Sequence, residues 1–175
     1  MAVVLNAVAG TVGFNAYCTV AEATDYATTK NNTAFALLTT AVKEASIIWA
    51  TRQLNTLQWK GSLAVANQPN EWPRSGVWRD GGTHDVDYYL STQFDSTTIP
   101  QFLKDATADL SLQLSVSDTT APAGTEGFSR IKVDTIELQM NAKDRLAWFT
   151  DSTRNLCWRY LLNSSKYNVP TLRVG

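Results

Sequence analysis

Residues 40–57 read TAVKEASIIWATRQLNTL, and this stretch indicates the fold class of the chain. Its apolar side chains recur at steps of three and four, the spacing that places them on one face of an α-helix. They belong to Ile47, Ala50, Leu54 and Leu57, while the polar residues of the stretch include Lys43, Glu44, Arg52 and Gln53. The pattern therefore predicts a long amphipathic helix that packs its apolar face against the rest of the protein.

A helix is also predicted before this stretch. Thr19 and Glu22 have the spacing of a capping box, in which each side chain bonds the backbone amide of the other residue. The helix that begins there is expected to end near residues 30–32, which are polar.

Two more helices are predicted after it. Pro100 fits a first helical turn, because that position needs no amide hydrogen, and the helix is expected to continue to about residue 116. Its apolar stripe comprises Leu103, Ala106, Leu110 and Leu114. The last helix is expected over about residues 151–162, with Asp151 or Ser152 as its cap.

One segment favours strand over helix. Residues 130–140 alternate between apolar and polar side chains, and the alternation shifts by one near Asp134-Thr135, which predicts a tight hairpin or a bulge. The predicted fold class is therefore mainly α, a small bundle of about four helices with one β-hairpin and long extended loops and termini.

The chain is predicted to form one domain with two arms. Residues 1–16 form an N-terminal arm, residues 17–162 the helical domain, and residues 163–175 a C-terminal extended arm. The domain contains an inserted loop at residues 59–98 and the hairpin at residues 128–140. A length of 175 residues suits a single domain.

The inserted loop is rich in aromatic side chains. We expect it to be ordered and to pack on the helices or on a neighbouring subunit, because an apolar indole is used first for burial. Trp72 in particular is predicted to pack against the helix that carries Leu54 and Leu57. The residues expected to shape the loop are Trp59, Trp72, Pro73, Arg74 and Gly76.

Charge and cysteine content restrict the function. The 15 basic and 16 acidic residues give a net charge of −1 and the basic ones are scattered, so binding to DNA through net charge is not expected. A local patch of basic residues brought together by folding is left open as an alternative.

Cys18 and Cys157 are predicted to be buried, reduced thiols of a protein made in the cytoplasm, because residues 1–10 match neither a signal peptide nor a membrane span.

Residues that could carry enzyme chemistry are scarce. His84 is the single histidine and lies near Asp85 and Asp87, so it could help to hold a cation, but a polar loop tip explains it as well. Zinc-type pairs of histidine or cysteine, a nucleophile elbow and a phosphate-binding glycine loop do not occur in the sequence. We therefore expect no catalytic residue, no metal and no cofactor.

Five segments in order resemble a family of small phage virion proteins. They are Tyr17-Cys18-Thr19-Val20-Ala21-Glu22-Ala23, Glu44-Ala45 to Arg52 with Trp59-Lys60-Gly61, Gln68-Pro69 with Trp72-Pro73-Arg74-Ser75-Gly76-Val77, Ile99-Pro100-Gln101 with Lys104-Asp105-Ala106, and Arg130-Ile131-Lys132-Val133 with Ile136-Glu137-Leu138. The family is often labelled DnaT-like single-stranded DNA-binding protein. It is also similar to the head-tail connector, or adaptor, proteins of tailed phages.

The resemblance to connectors implies a non-catalytic structural subunit in the neck of the virion. Such subunits form a ring of about twelve copies that docks under the portal protein, with tail or nozzle proteins below. Double-stranded DNA would pass through the lumen without specific binding, and a net charge of −1 suits that passage because few phosphates would be neutralised. No contact with a membrane is expected.

Two other functions remain open. A replication protein that binds single-stranded DNA would use Trp59, Trp72 and Arg74, with bases stacked on the indoles and phosphates held by the arginine. A wall-degrading enzyme is the more distant alternative, since some tail-neck proteins have been proposed to cut peptidoglycan. No pair of carboxylates stands out for that chemistry.

Both arms contain alternating apolar residues that suit extended strands. These residues are Val3 and Leu5 in the N-terminal arm and Val169, Leu172 and Val174 in the C-terminal arm. An extended peptide can add a strand to the exposed edge of a neighbouring sheet. We expect the C-terminal arm to dock on the portal or an adjacent subunit, and the N-terminal arm to do the same.

Overall fold

The computed structural model describes residues 4–79, 93–117, 130–133, 136–139 and 150–162. Val3, the His84 loop and the C-terminal arm with Val169, Leu172 and Val174 lie outside these residues. The described helices are α1 (Val20–Thr29), α2 (Thr33–Ala36), α3 (Thr40–Leu54), α4 (Gln101–Leu114) and α5 (Asp151–Cys157), followed by a 3₁₀ turn (Trp158–Tyr160). The mainly helical fold that the sequence predicts is confirmed.

The helix boundaries follow from their caps. The Thr19 and Glu22 capping box is present and opens α1. The short helix α2 was not predicted; the Asn32 side chain accepts a hydrogen bond from the Phe35 amide and caps it. At α4, Pro100 occupies the N-cap and not the first turn, and at α5 the cap is Thr150 and neither Asp151 nor Ser152.

Two small antiparallel sheets accompany the helices. β1 (Ser62–Leu63) pairs with β2 (Arg74–Ser75) inside the inserted loop. β3 (Arg130–Val133) pairs with β4 (Ile136–Gln139), with Val133 opposite Ile136. A hairpin therefore forms where the alternation shifts in the sequence.

Helix α4 lies at the centre of the described structure and packs against α1, α3 and α5. Leu103, Ala106 and Leu110 belong to a core shared with α3 and the inserted loop, whereas Ala108 and Leu112 belong to a second core beside α1. Because α4 is buried on most sides, its hydroxyls need internal acceptors. Thr107 and Ser111 accordingly donate to carbonyls of their own helix.

The N-terminal segment folds back on its own domain. The amides of Asn15 and Ala16 both donate to the Asn6 carbonyl, which closes a loop. Leu5 is half-buried beside the second core, whereas Val8 and Val12 are exposed. Among the described helices, none has both the length and the apolar composition needed to span a membrane.

Candidate nucleic-acid interface

The two tryptophans that the sequence suggested as a stacking platform lie in the core. Trp59 is 1% exposed and Trp72 is fully buried. Their rings meet edge to face with centroids 5.7 Å apart, and both contact the ring of Phe102. Leu54 and Leu57 belong to the same core. Neither indole has a face on which a DNA base could stack. The hypothesis that Trp59 and Trp72 bind single-stranded DNA is therefore wrong.

A buried hydrogen-bond network positions Trp72, which precedes a cis peptide bond to Pro73. The Trp72 amide donates to the Tyr17 hydroxyl over 3.2 Å, and that hydroxyl contacts the Asn55 side chain. Burial raises the pKa of Tyr17 far above its usual value, so the hydroxyl keeps its proton. The network explains how the described part of the loop around Trp72 is held without a helix or a long strand.

Arg74 cannot serve as a phosphate ligand, because the protein itself uses its guanidinium. The residue is only 7% exposed. It donates to the carbonyls of Trp59, Lys60, Gly61 and Glu71 and forms an ion pair of 2.7 Å with the Glu71 carboxylate. These five hydrogen bonds match the five N–H groups of a guanidinium.

Gly61 permits this arrangement. Its φ is +75°, and an added Cβ would lie 2.3 Å from the Ser75 carbonyl oxygen. A side chain at this position would push β1 and β2 apart. The glycine therefore keeps the carbonyls of residues 59–61 within reach of Arg74.

The end of α5 joins the start of the inserted loop. Trp59 and Leu161 form an antiparallel bridge, and the Lys60 amide donates to the Tyr160 carbonyl over 2.8 Å. The Tyr160 hydroxyl donates to the Arg79 carbonyl over 2.9 Å. Three segments that are distant in sequence are thereby held side by side.

This junction brings together cations and an aromatic ring. We call Lys60, Arg79, Trp158 and Arg159 the basic-aromatic surface. Arg79 and Arg159 are exposed, and Lys60 and Trp158 are half-buried. The Lys60 ammonium donates to the Arg159 carbonyl over 2.8 Å, and the Arg159 guanidinium lies 5.7 Å from the Trp158 ring centroid. The Arg79 guanidinium lies 5.5 Å from the Phe94 ring centroid, and the Phe94 and Tyr160 ring centroids are 5.4 Å apart. Cations on such a junction, with the half-buried Trp158 indole beside Arg159, can hold phosphates of a strand together with a base.

Sequence reasoning missed this surface. Lys60 and Arg159 are separated by 99 positions, so no local pattern links them. The dipeptide Trp158-Arg159 places an arginine beside an indole, as the segment Trp72-Pro73-Arg74 does, and was the available signal.

A second polar cluster surrounds Asp109 on α4. The residue is 2% exposed, pairs with the Lys30 ammonium and accepts a 2.7 Å hydrogen bond from the Thr153 hydroxyl. An open cavity of about 440 Å³ lies beside it. Because the carboxylate binds side chains of both the α1 end and α5, we assign the cluster to holding these helices on α4.

Both cysteine thiols are buried. Cys18 and Cys157 are free, buried thiols, as the sequence predicts. Burial raises the pKa of Cys18 to about 12, and that of Cys157 also rises, so neither is a nucleophilic thiolate. The described residues include no group of three or more acidic, histidine or cysteine side chains placed to hold a metal ion.

Comparison with known proteins identifies a family. A family model described as "Putative DnaT-like ssDNA binding protein" matches residues 1–174. No curated protein and no solved structure matches the chain.

Proposed function

Because the chain belongs to the family of DnaT-like ssDNA-binding proteins, we propose that it binds single-stranded DNA through the basic-aromatic surface. The observation that carries this proposal is the Arg159 guanidinium over the Trp158 indole, with the Lys60 ammonium at the Arg159 carbonyl and the Arg79 carbonyl at the Tyr160 hydroxyl. The buried pair of Trp72 and Arg74 takes no part in it.

The chemistry of the surface suits a single strand better than a duplex. Phosphates would contact the three cations, and an unpaired base would stack on the half-exposed ring of Trp158. A base inside a duplex offers no free face for such stacking. Stacking accepts every base, so we expect little preference for sequence.

The affinity is expected to be modest, because the whole chain has a net charge of −1. A dissociation constant on the order of 10⁻⁵ M at physiological salt is typical of non-specific binding. Three phosphate contacts predict a slope of about −2 when the logarithm of the binding constant is plotted against the logarithm of salt concentration.

Fluorescence anisotropy with a labelled oligothymidine tests the proposal. Trp158→Ala should weaken binding about 5- to 100-fold, the range expected when a stacked base loses its aromatic partner, and Trp158→Phe should retain most of the affinity. Arg159→Ala should reduce the salt slope by about 0.7. Arg52→Ala is the matched control, because Arg52 is an exposed arginine on α3. Equal losses in Arg159→Ala and Arg52→Ala would refute the assignment.

A structural role in the phage neck is the second candidate. Two observations favour it: the stacking platform suggested by the sequence is buried, and the N-terminal segment exposes the apolar side chains of Val4, Val8 and Val12. Exposed apolar residues on an arm suit contacts between subunits of a connector ring or with the portal.

Two measurements separate these candidates. A connector should show negligible affinity for single-stranded DNA at physiological salt and should change from its free size to a ring of about twelve copies when portal is added. A single-strand binder should show the affinity and the Trp158 dependence given above, with no change of size on adding portal.

A further inference from the structure

Helix α5 and the 3₁₀ turn that follows it form one short amphipathic rod. The backbone keeps helical hydrogen bonding where α5 passes into the turn at Trp158. Thr153, Cys157 and Tyr160 are buried and follow one another at steps of four and three, which places them on one face of the rod. At about 100° per residue, Trp158 lies about 140° around the rod from Thr153, on the outward side. The rotation of the rod therefore determines where the Trp158 indole points.

The polar member of the buried face fixes this rotation. Cys157 lies in the same core as Leu103 and Leu110, and apolar contacts of this kind have no preferred direction. Thr153 is fully buried, and its hydroxyl donates to the Asp109 carboxylate over 2.7 Å. A hydrogen bond to a charged group is both strong and directional. The first turn of α5 can therefore meet α4 in one orientation.

The other polar groups at the start of α5 are held at the same place. The Lys30 ammonium pairs with the carboxylate of Asp109 and donates to the Ser152 hydroxyl over 3.1 Å. The side-chain amide of Gln113, also on α4, donates to the Thr150 hydroxyl over 2.9 Å. Because Asp109 is only 2% exposed, these donors replace the water that its carboxylate loses. The start of α5 is thus tied to α4 by a connected polar network.

We propose that Asp109 is a positioning residue for Trp158, because through Thr153 it fixes the rotation of α5 and holds the indole outward. The far end of the rod is held where the Lys60 amide donates to the Tyr160 carbonyl over 2.8 Å. A rod that is held at one end only can tilt and turn about that point, whereas two held ends define its position. The use of this orientation in binding DNA rests on the proposed function.

The indole N–H resonance of Trp158 reports the orientation of the ring without any DNA. In a ¹H–¹⁵N NMR spectrum of the full chain, six tryptophans give indole signals, and Trp158→Phe assigns the signal of Trp158. Thr153→Val removes the hydroxyl and should shift this resonance. Thr153→Ser keeps a hydroxyl and should leave the resonance near its original position.

Thr107→Val is the matched control for Thr153→Val. Thr107 is as fully buried as Thr153, but it lies on α4 and its hydroxyl donates to the Leu103 carbonyl of the same helix. The control should not shift the Trp158 resonance. A Trp158 resonance that is unchanged in Thr153→Val, or that moves equally in Thr107→Val, would overturn the proposal.

A substitution of Asp109 tests the carboxylate itself. Asp109→Asn replaces an acceptor oxygen by an amide donor and removes the negative charge, so the Trp158 resonance should shift. Lys104→Met is the matched control, because the Lys104 ammonium pairs with the Glu22 carboxylate over 2.6 Å and joins α4 to α1. If Lys104→Met shifts the Trp158 resonance as much as Asp109→Asn does, the effect is not specific to α5 and the inference is wrong.

Binding of a labelled oligothymidine tests the use of this orientation. Thr153→Val should weaken binding about five-fold, and both Thr153→Ser and Thr107→Val should stay within about two-fold of the original protein. Because Thr153 acts through the indole, Thr153→Val added to Trp158→Ala should weaken binding by less than about two-fold beyond Trp158→Ala alone. Fully additive losses would contradict the positioning role.

The two measurements separate this inference from the proposed function. If the Trp158 resonance shifts in Thr153→Val but Trp158→Ala leaves oligothymidine binding unchanged, the proposed function is wrong and the positioning of the indole stands. If Trp158→Ala weakens binding while Thr153→Val alters neither the resonance nor the affinity, the proposed function stands and the positioning role is wrong.

Discussion

Two pairs of neighbouring residues in this protein combine an indole with an arginine and have opposite environments. Trp72 is fully buried and Arg74 is 7% exposed. Trp158 is half-buried, and Arg159 is exposed. The first pair is part of the core, and the second belongs to the basic-aromatic surface. Residue type is therefore a poor guide to a binding site when the residues that surround it in space are unknown.

The difference between the pairs lies in what their surroundings offer. Arg74 is surrounded by four backbone carbonyls and the Glu71 carboxylate, which replace the water that a buried guanidinium loses. Arg159 packs over the ring of Trp158 and keeps contact with solvent. A guanidinium whose donors are all used stabilises the fold, whereas one that keeps free donors can bind a ligand.

Replacing the buried indole should have the largest effect. Trp72→Ala removes a fully buried ring that contacts Trp59, Phe94 and Phe102 and should lower the free energy of unfolding by about 3–5 kcal/mol. Chemical denaturation, monitored by circular dichroism, measures this free energy of unfolding. Trp158→Ala is the comparison and should lower the free energy of unfolding by clearly less. Similar costs would mean that the two indoles do not differ in burial in solution.

Replacing the buried arginine should have an intermediate effect. Arg74→Met keeps the aliphatic stem but leaves buried carbonyls without donors, so the free energy of unfolding should fall by about 1–3 kcal/mol. Arg159→Met should change it by less than about 0.5 kcal/mol, as is usual at the surface. If Arg74→Met leaves the free energy of unfolding unchanged, water replaces the guanidinium as the hydrogen-bond donor to these carbonyls.

The smallest effect is expected at the partly exposed Glu22. Burial raises the pKa of this carboxyl, but hydrogen bonds from Lys104 and the Thr19 amide outweigh burial and lower it. A lowered pKa in the folded state stabilises the protein above pH 4.5, and the stabilisation is lost as the pH falls below that value. Glu22→Gln should reduce this part of the pH dependence of the free energy of unfolding. If the variant and the original protein show the same pH dependence between about pH 3 and pH 6, the role given to Glu22 is contradicted.

Local features of the sequence were sufficient for most of the secondary structure. Periodicity and caps predicted α1, α3, α4 and the hairpin because they act within a few residues. The single turn of α2 (Thr33–Ala36) is too short to show a period, and Leu57 lies beyond the C-terminus of α3 (Thr40–Leu54) although it fits the helical stripe.

The amino-acid sequence by itself determined the four longer described helices to within a few residues at their ends, that the cysteines are free and buried, and that an aromatic-rich loop interrupts the helices. Only the tertiary structure decided that Trp72 and Arg74 belong to the core and that the segments of Lys60, Arg79 and Arg159 meet at one junction. The physical reason is the distance along the chain over which each interaction acts. Helices are specified by hydrogen bonds and side chains within four residues of one another, whereas burial depends on which distant segments supply apolar contacts and hydrogen-bond acceptors.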